Sequence, residues 1–177
     1  MQPETRDQSM PDPAVPAPAV PVPTAPAAGG PEPGAADPVP VQVVGGALVD
    51  SLARPSRLLV ARRTSPPAFA GMWEFPGGKV EPGEEPRAAL VRELREELGI
   101  EARLGSEVPG PLEQGWPLNE RAAMRVWLAE VEDGEPAPLE DHDELRWLAL
   151  DADSLASVPW IPADFPIVEA LRRHVAG

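Results

Sequence analysis

The chain has 177 residues, enough for one domain with a sizeable core, and a formal net charge of −14. This charge argues against DNA or RNA binding, and it repels a nucleoside triphosphate unless metal ions neutralise the phosphates. The chain has no cysteine, which excludes disulfides, and no apolar run long enough to span a membrane. The N-terminus lacks a basic region followed by an apolar one, so a soluble, cytoplasmic protein is expected.

Residues 1–40 are rich in proline and alanine and hold twelve of the 26 prolines. Proline disfavours both helix and sheet, and the segment has too few large apolar side chains to build a core. We therefore expect a disordered, partly polyproline-like extension, with a docking ligand for another protein as the functional alternative. The folded domain is expected over residues 41–177.

The hydrophobic pattern of the domain alternates strands with two main helices. Strands are predicted at residues 41–50, 57–62, 73–75, 101–105, 121–131 and 145–150, and the first two form a hairpin. Helices are predicted over residues 86–98 and 166–175, a short turn or helix at 154–157, and a Pro/Gly-rich loop over 109–119. This order favours an α/β fold with a mixed sheet between helical layers over a doubly wound array.

The helix over residues 86–98 carries the clearest signal in the sequence. Pro86 suits the first helical turn, where its missing N–H has no cost, and Gly99 suits a left-handed C-terminal cap. Val91, Leu94 and Leu98 recur at helical spacing and predict the buried stripe.

Three carboxylates share one face of this predicted helix. Glu93, Glu96 and Glu97 stand at i, i+3 and i+4, and Arg92 and Arg95 are close enough to screen part of their repulsion. One interpretation is a solvated helix face of mixed charge. The other is an oxygen-rich site for Mg²⁺ or Mn²⁺, because hard divalent cations select carboxylates and backbone carbonyls.

The residues around these carboxylates follow a longer fixed pattern. It runs Gly78, five residues, Glu84, seven residues, Arg92-Glu93-Leu94, one residue, Glu96-Glu97, one residue, and then Gly99-Ile100. Every fixed position matches the Nudix box, so from residue 41 onward the chain resembles Nudix hydrolases. The run WEFPGGK at residues 73–79 and the Pro-Ala-Asp run at 162–164 are similar to the MutT branch of that family.

The resemblance implies a Nudix α/β/α sandwich that converts a nucleoside triphosphate and water to the monophosphate and pyrophosphate with Mg²⁺. By family position, Glu96, Glu97 and the Gly77 carbonyl are metal ligands, and Glu93 is a ligand and the candidate base. Glu84 completes the carboxylate cluster as a further catalytic candidate. Arg92 is expected to support a carboxylate through a bidentate pair.

Three further candidates are Asp141, which lies six residues before Trp147 where related enzymes carry an acidic metal ligand, and two cations near the box. Asp141 is predicted as an acidic metal ligand across the site, with an ordinary loop carboxylate as the alternative. Arg63 and Lys79 are predicted phosphate contacts, although as surface cations they would need no special explanation. His142 and His174 have no pattern that assigns them a role.

Two residues are predicted to contact the base. The best-known MutT-type enzymes carry Asn at the position of Asp164. An ionised Asp only accepts hydrogen bonds, which favours a base edge that donates them, such as the cytosine amino group or guanine N1–H and N2–H. A protonated Asp164 could also donate, and an N-cap for the last helix is the structural alternative. Phe75 is a candidate for stacking on the base, although core packing is the commoner role of such an aromatic.

The predicted function is therefore nucleotide-pool sanitation by an 8-oxo-dGTP diphosphatase of MutT type. A CTP or 5-methyl-dCTP pyrophosphohydrolase is the alternative within the class. A Nudix-fold nucleotide sensor without catalysis is the alternative from another class. The sequence leaves open the base preference, the number of metal ions and the oligomeric state.

Overall fold

The computed structural model describes residues 41–176. The predicted disordered extension, residues 1–40, lies outside the described residues. The strands are β1 (Val41–Val49), β2 (Arg57–Arg63), β3 (Trp73–Glu74), β4 (Gly77–Lys79), β5 (Glu101–Val108), β6 (Trp116–Asn119), β7 (Ala122–Asp133) and β8 (His142–Ala149). The helices are α1 (Pro86–Leu98), α2 (Ala152–Leu155) and α3 (Phe165–Ala176).

The strands form one mixed sheet, as predicted. Its order is β3-β2-β1-β7-β5, with β4 paired to β1, β6 to β7 and β8 to β2. The central pair β1–β7 is parallel over eight residue pairs, while the other strand pairs are antiparallel. The predicted hairpin of β1 and β2 is present.

Two apolar clusters cover the two faces of the sheet, as the sandwich prediction requires. One cluster packs α1 through Leu90, Leu94 and Leu98 against strand residues that include Val44, Leu48, Leu59 and Trp127. The other packs α3 through Ile167, Val168 and Leu171 against strand residues that include Val49, Val60 and Val126. The sheet therefore lies between helices, each of which buries one apolar stripe.

The α1 helix begins and ends as the sequence predicts. Pro86 occupies the first turn, and Gly99 adopts a φ of 71° while its N–H donates to the Arg95 carbonyl. The predicted stripe is wrong at Val91, which is only half-buried. The buried face runs through Leu90 and Leu94 instead, and Val91 lies at its margin.

The structure corrects three boundaries. The predicted loop over residues 109–119 contains β6, because Trp116 and its neighbours pair with β7. β5 runs on to Val108 rather than ending at residue 105. β8 begins at His142 rather than at residue 145, because the charged side chains that suggested a loop form cross-strand ion pairs. Arg62 contacts Asp143 at 2.8 Å and Glu144 at 2.8 Å.

No helix in the described part of the chain, residues 41–176, is long and apolar enough to cross a membrane.

Candidate active site

A cavity of about 500 Å³ opens beside α1, and its lining residues fall into two chemically different sets, which we call its polar end and its apolar end. One end is lined by glycine backbone and carboxylates, namely Gly77, Gly78, Glu93 and Glu97. The other end is mostly apolar and is lined by Val43, Phe75, Leu118, Met124, Ile161 and Asp164. Arg63, Glu74, Lys79, Asp141 and the exposed Phe69 also line the cavity.

The glycines of β4 lie closer to β1 and to α1 than a residue with a side chain could. Gly77 has a φ of 149°, and a Cβ on it would lie 2.1 Å from the Val44 carbonyl oxygen. A Cβ on Gly78 would lie 2.4 Å from the carboxyl carbon of Glu93. The Glu93 carboxylate therefore rests directly over Gly78, in the space that a Cβ at that position would take.

Glu97 is the buried one of the three helix carboxylates. It is only 7% exposed, and its Oε2 accepts a hydrogen bond from the Gly77 N–H at 2.8 Å. Burial raises the pKa of Glu97 to about 7, against an ordinary value of 4.5. Burial also raises the pKa of Glu93. Two carboxyl groups that are short of solvation thus lie at the same end of the cavity.

Arg92 connects the acidic residues of the helix. Its Nε and Nη2 donate to the two Glu84 oxygens at 3.0 Å each, and Nη2 also donates to the Lys79 carbonyl. Its Nη1 donates to Glu93 Oε1 at 2.9 Å and to Glu96 Oε2 at 3.0 Å. Arg92 therefore pairs with both oxygens of Glu84 and with one oxygen of Glu93.

The three helix carboxylates differ in their surroundings. Glu93 and Glu97 line the cavity, whereas Glu96 has a side chain 46% exposed and contacts Arg92 outside the cavity lining. Glu84 is likewise an ion-pair partner of Arg92 and does not line the cavity. The structure thus brings together only part of the predicted carboxylate cluster.

The donors at this end have the chemistry that a hard cation requires. Carboxylate oxygens and glycine backbone are the ligands that Mg²⁺ and Mn²⁺ select, and a cation would stabilise the poorly solvated Glu93 and Glu97. Within residues 41–176, no three acidic or histidine side chains converge closely enough to hold an ion as they stand. The donor atoms at this end are therefore of the type that Mg²⁺ binds, although the side chains of the described residues do not form a complete set of ligands.

The predicted phosphate contacts have different environments. Arg63 is already paired with carboxylates: its Nη1 lies 2.9 Å from Glu74 Oε1, and its Nη2 lies 3.5 Å from Asp141 Oδ2. Lys79 is exposed at the cavity rim. Asp141 lies in the loop before β8, lines the cavity and accepts a hydrogen bond from the Ser65 hydroxyl at 2.8 Å.

Two buried polar residues of the site escaped the sequence reasoning. Glu74 is 9% exposed, His142 is 5% exposed, and Glu74 Oε1 lies 2.9 Å from His142 Nε2. The available signal was a carboxylate between two aromatics, Trp73 and Phe75, on a strand buried on both faces. A charge is rarely buried without a partner, so this position should have prompted a search for one.

Asp164 lies at the apolar end of the cavity. It is 4% exposed, its Oδ2 accepts from the Phe75 N–H at 3.1 Å, and burial raises its pKa to about 7. The start of α3 uses the Asp164 backbone carbonyl, which accepts from the N–H groups of Ile167 and Val168. The Phe75 ring packs on Trp160 with centroids 5.5 Å apart, so this aromatic belongs to the core as well as to the cavity wall.

Comparison with known proteins places this site in a family. A model of the NUDIX domain matches residues 42–171. The "Putative 8-oxo-dGTP diphosphatase 2" of Mycobacterium tuberculosis is 40% identical over 142 residues, which cover 76% of this chain and 90% of that protein. The CTP pyrophosphohydrolase of Escherichia coli K12 is 39% identical over 119 residues, covering 67% and 84% respectively.

A solved structure agrees with these sequence matches. The solution structure of the E. coli ORF135 protein superposes with a TM-score of 0.60 at 36% sequence identity, over 76% of this chain and 90% of that chain. The domain match spans most of the chain and includes the helix that carries Glu93 and Glu97. The chain therefore belongs to the Nudix family and is a Nudix hydrolase.

Proposed function

We propose that this protein is a Mg²⁺-dependent nucleoside triphosphate pyrophosphohydrolase of MutT type that removes an oxidised or non-standard nucleotide from the pool. The observation that carries the proposal is the two-ended cavity. Poorly solvated Glu93 and Glu97 lie over the glycines of β4 at one end, and an apolar pocket with one buried acid, Asp164, lies at the other. Such a cavity suits a ligand with phosphates at one end and a base at the other.

In the proposed reaction, water attacks a phosphorus of the triphosphate and the P–O–P bond breaks to give the monophosphate and pyrophosphate. Glu97, the Gly77 carbonyl and Asp141, which line the cavity, would hold Mg²⁺ together with Glu96 from outside the lining, and the metal would neutralise the charge that develops on the phosphates. Glu93 accepts the proton of the water. Its raised pKa strengthens it as a base, and Arg92 fixes one of its oxygens.

The proposal gives roles to two further residues, and their contacts support it. Lys79 at the rim is a candidate phosphate contact, because its charge is exposed beside the glycines of β4. Glu84 acts through Arg92 rather than on the substrate, since both of its oxygens accept from that guanidinium.

Asp164 is the residue proposed to recognise the base. The Phe75 N–H occupies Oδ2, which leaves Oδ1 for a ligand. An ionised Asp164 would accept from guanine N1–H and N2–H or from the cytosine amino group. Relatives named for 8-oxo-dGTP and for CTP match this chain at 40% identity over 142 residues and 39% over 119 residues. Because the first match is longer, 8-oxo-dGTP is the first candidate substrate, and CTP or 5-methyl-dCTP is the second.

Pyrophosphate release with Mg²⁺ tests the proposal on 8-oxo-dGTP, dGTP, CTP, dCTP, 5-methyl-dCTP and ADP-ribose. We expect turnover of at least one triphosphate and a loss of about 10²- to 10⁴-fold in Glu93→Gln, which removes the base. Glu132→Gln, an exposed change on β7, is the matched control and should keep full activity. A folded protein that is stabilised by a triphosphate and hydrolyses none of the panel would instead be a sensor.

A further inference from the structure

Glu74 is a buried acid outside the Nudix helix that joins three strands. It lies on β3, between the buried aromatics Trp73 and Phe75, and it lines the cavity. Both of its oxygens accept from Arg63 on β2, at 2.9 and 3.1 Å, and Oε1 also lies 2.9 Å from His142 Nε2 on β8. So many charge-assisted contacts on one carboxylate fix its position firmly.

His142 supports Glu74 from behind. Its side chain has no exposed surface, and a carboxylate oxygen can only accept, so Nε2 carries the hydrogen in this contact. Within residues 41–176, its Nδ1 is buried without a hydrogen-bond partner. The hydrogen bond to Glu74 is therefore the polar contact that holds the imidazole ring.

Two of the three nitrogens of the Arg63 guanidinium donate hydrogen bonds within the described residues. Nε donates to the Ser65 carbonyl and Nη1 donates to Glu74. Among the hydrogen bonds of the described residues, none uses Nη2, which lies 3.5 Å from Asp141 Oδ2. Because Arg63 lines the cavity and its side chain is 22% exposed, Nη2 is the donor available to a ligand.

We propose that Glu74, braced by His142, is a positioning residue that fixes Arg63 so that its Nη2 donates to an oxygen of the bound nucleotide. This inference rests on the proposed function and changes the role of Arg63 from a free phosphate-attracting cation to an oriented donor. Because Glu74 largely balances its charge, Arg63 contributes a directed hydrogen bond rather than long-range attraction of the phosphates. The oxygen is a base carbonyl or a phosphate oxygen, which present the same acceptor chemistry.

The chain contains a matched pair for comparison. Arg125 on β7 donates through Nε and Nη2 to the two oxygens of Glu107 on β5, at 2.8 and 2.6 Å. This pair is partly buried, at 33% and 29% side-chain exposure, and neither residue lines the cavity. Glu107→Gln therefore makes the same chemical change in a similar ion pair away from the ligand.

The test measures kcat and KM with the best substrate of the pyrophosphate assay, together with the urea stability of each variant. We expect Glu74→Gln to lower kcat/KM about 10- to 100-fold, and Glu107→Gln to leave it within about twofold. Because both act through one guanidinium, Glu74→Gln should add nothing to Arg63→Gln in the double variant. Additive losses, or a folded Glu74→Gln with wild-type kcat/KM, would overturn the inference. A wild type that hydrolyses nothing would overturn the proposed function instead.

A second pair of variants covers a Glu74→Gln protein that fails to fold. His142→Gln keeps an N–H donor for Glu74 and should retain more activity than His142→Leu, which has none. Equal activity of two folded variants at this position would also overturn the inference. Substrate dependence identifies the oxygen: equal losses in Arg63→Gln for every triphosphate indicate a phosphate oxygen, and unequal losses indicate a base carbonyl. Either pattern supports the positioning role.

Discussion

Glu97 should destabilise the metal-free protein at neutral pH, because folding buries its carboxylate. The test is Glu97→Gln, which keeps the shape of the side chain and can still accept the Gly77 N–H while removing the charge. Burial raises the pKa of Glu97 from 4.5 to about 7. A pKa difference of about 2.5 corresponds to about 3 kcal/mol at a pH above both values.

The sign follows from which state binds the proton more tightly. Below pH 4.5 the carboxyl is neutral in both the folded and the unfolded chain, so the variant and the wild type should be equally stable. Between pH 4.5 and 7 the unfolded chain ionises first, and the wild type loses stability as the pH rises. Above pH 7 the variant should be more stable by about 3 kcal/mol.

Urea unfolding in EDTA at pH 4, 6 and 8 measures this difference in the free energy of unfolding. Glu96→Gln is the control on the same helix; its side chain is 46% exposed, so its effect should stay within about 0.5 kcal/mol at every pH. Adding Mg²⁺ should stabilise the wild type more than Glu97→Gln, since the variant lacks a proposed ligand. If Glu97→Gln is no more stable than the wild type at pH 8, the claim that burial disfavours the charged form of Glu97 is refuted.

Three further predictions test the site and its support. Gly78→Ala should lower kcat about 10²-fold, because its Cβ would displace the Glu93 carboxylate. The control is Gly83→Ala, where a Cβ meets open space; it should keep kcat near wild type despite backbone strain. Asp164→Asn should change the ratio of kcat/KM between CTP and 8-oxo-dGTP by about tenfold or more, and an unchanged ratio would remove Asp164 from base recognition. Leu94→Ala should lower the free energy of unfolding by about 2 to 5 kcal/mol in urea, since Leu94 is fully buried under the sheet; a smaller loss would mean that the sheet collapses onto the gap.

Local patterns predicted the α1 helix and the family well. Pro86, Gly99 and the leucine spacing report on interactions within a few residues of one another, and the structure reproduces that helix at both ends. The mixed sheet also followed from the alternation of short apolar runs with two helices. Spacing could not decide which carboxylates enter the cavity, because burial of Glu97 rather than Glu96 depends on where β4 docks.

The Glu74–His142 contact shows where sequence reasoning ends. The two residues are 68 positions apart and meet because β3 and β8 both pair with β2. Neither residue belongs to a motif, and a single chain gives no direct sign of which buried acid meets which histidine. The ion pair between Arg63 and Glu74 also depends on those strand pairings. The sequence therefore predicted Arg63 as a phosphate contact without showing that it has a carboxylate partner.

The parallel pairing of β1 with β7 governs when this domain can fold during synthesis. Val41 pairs with Ala122 and Leu48 with Ala129, so the centre of the sheet joins segments about eighty residues apart. A ribosome must therefore release most of the domain before β1 finds its partner, and contacts so distant in sequence slow folding. Until then the backbone edge of β1 that pairs with β7 remains open to other chains, so newly made protein should depend on chaperones more than the finished fold would suggest.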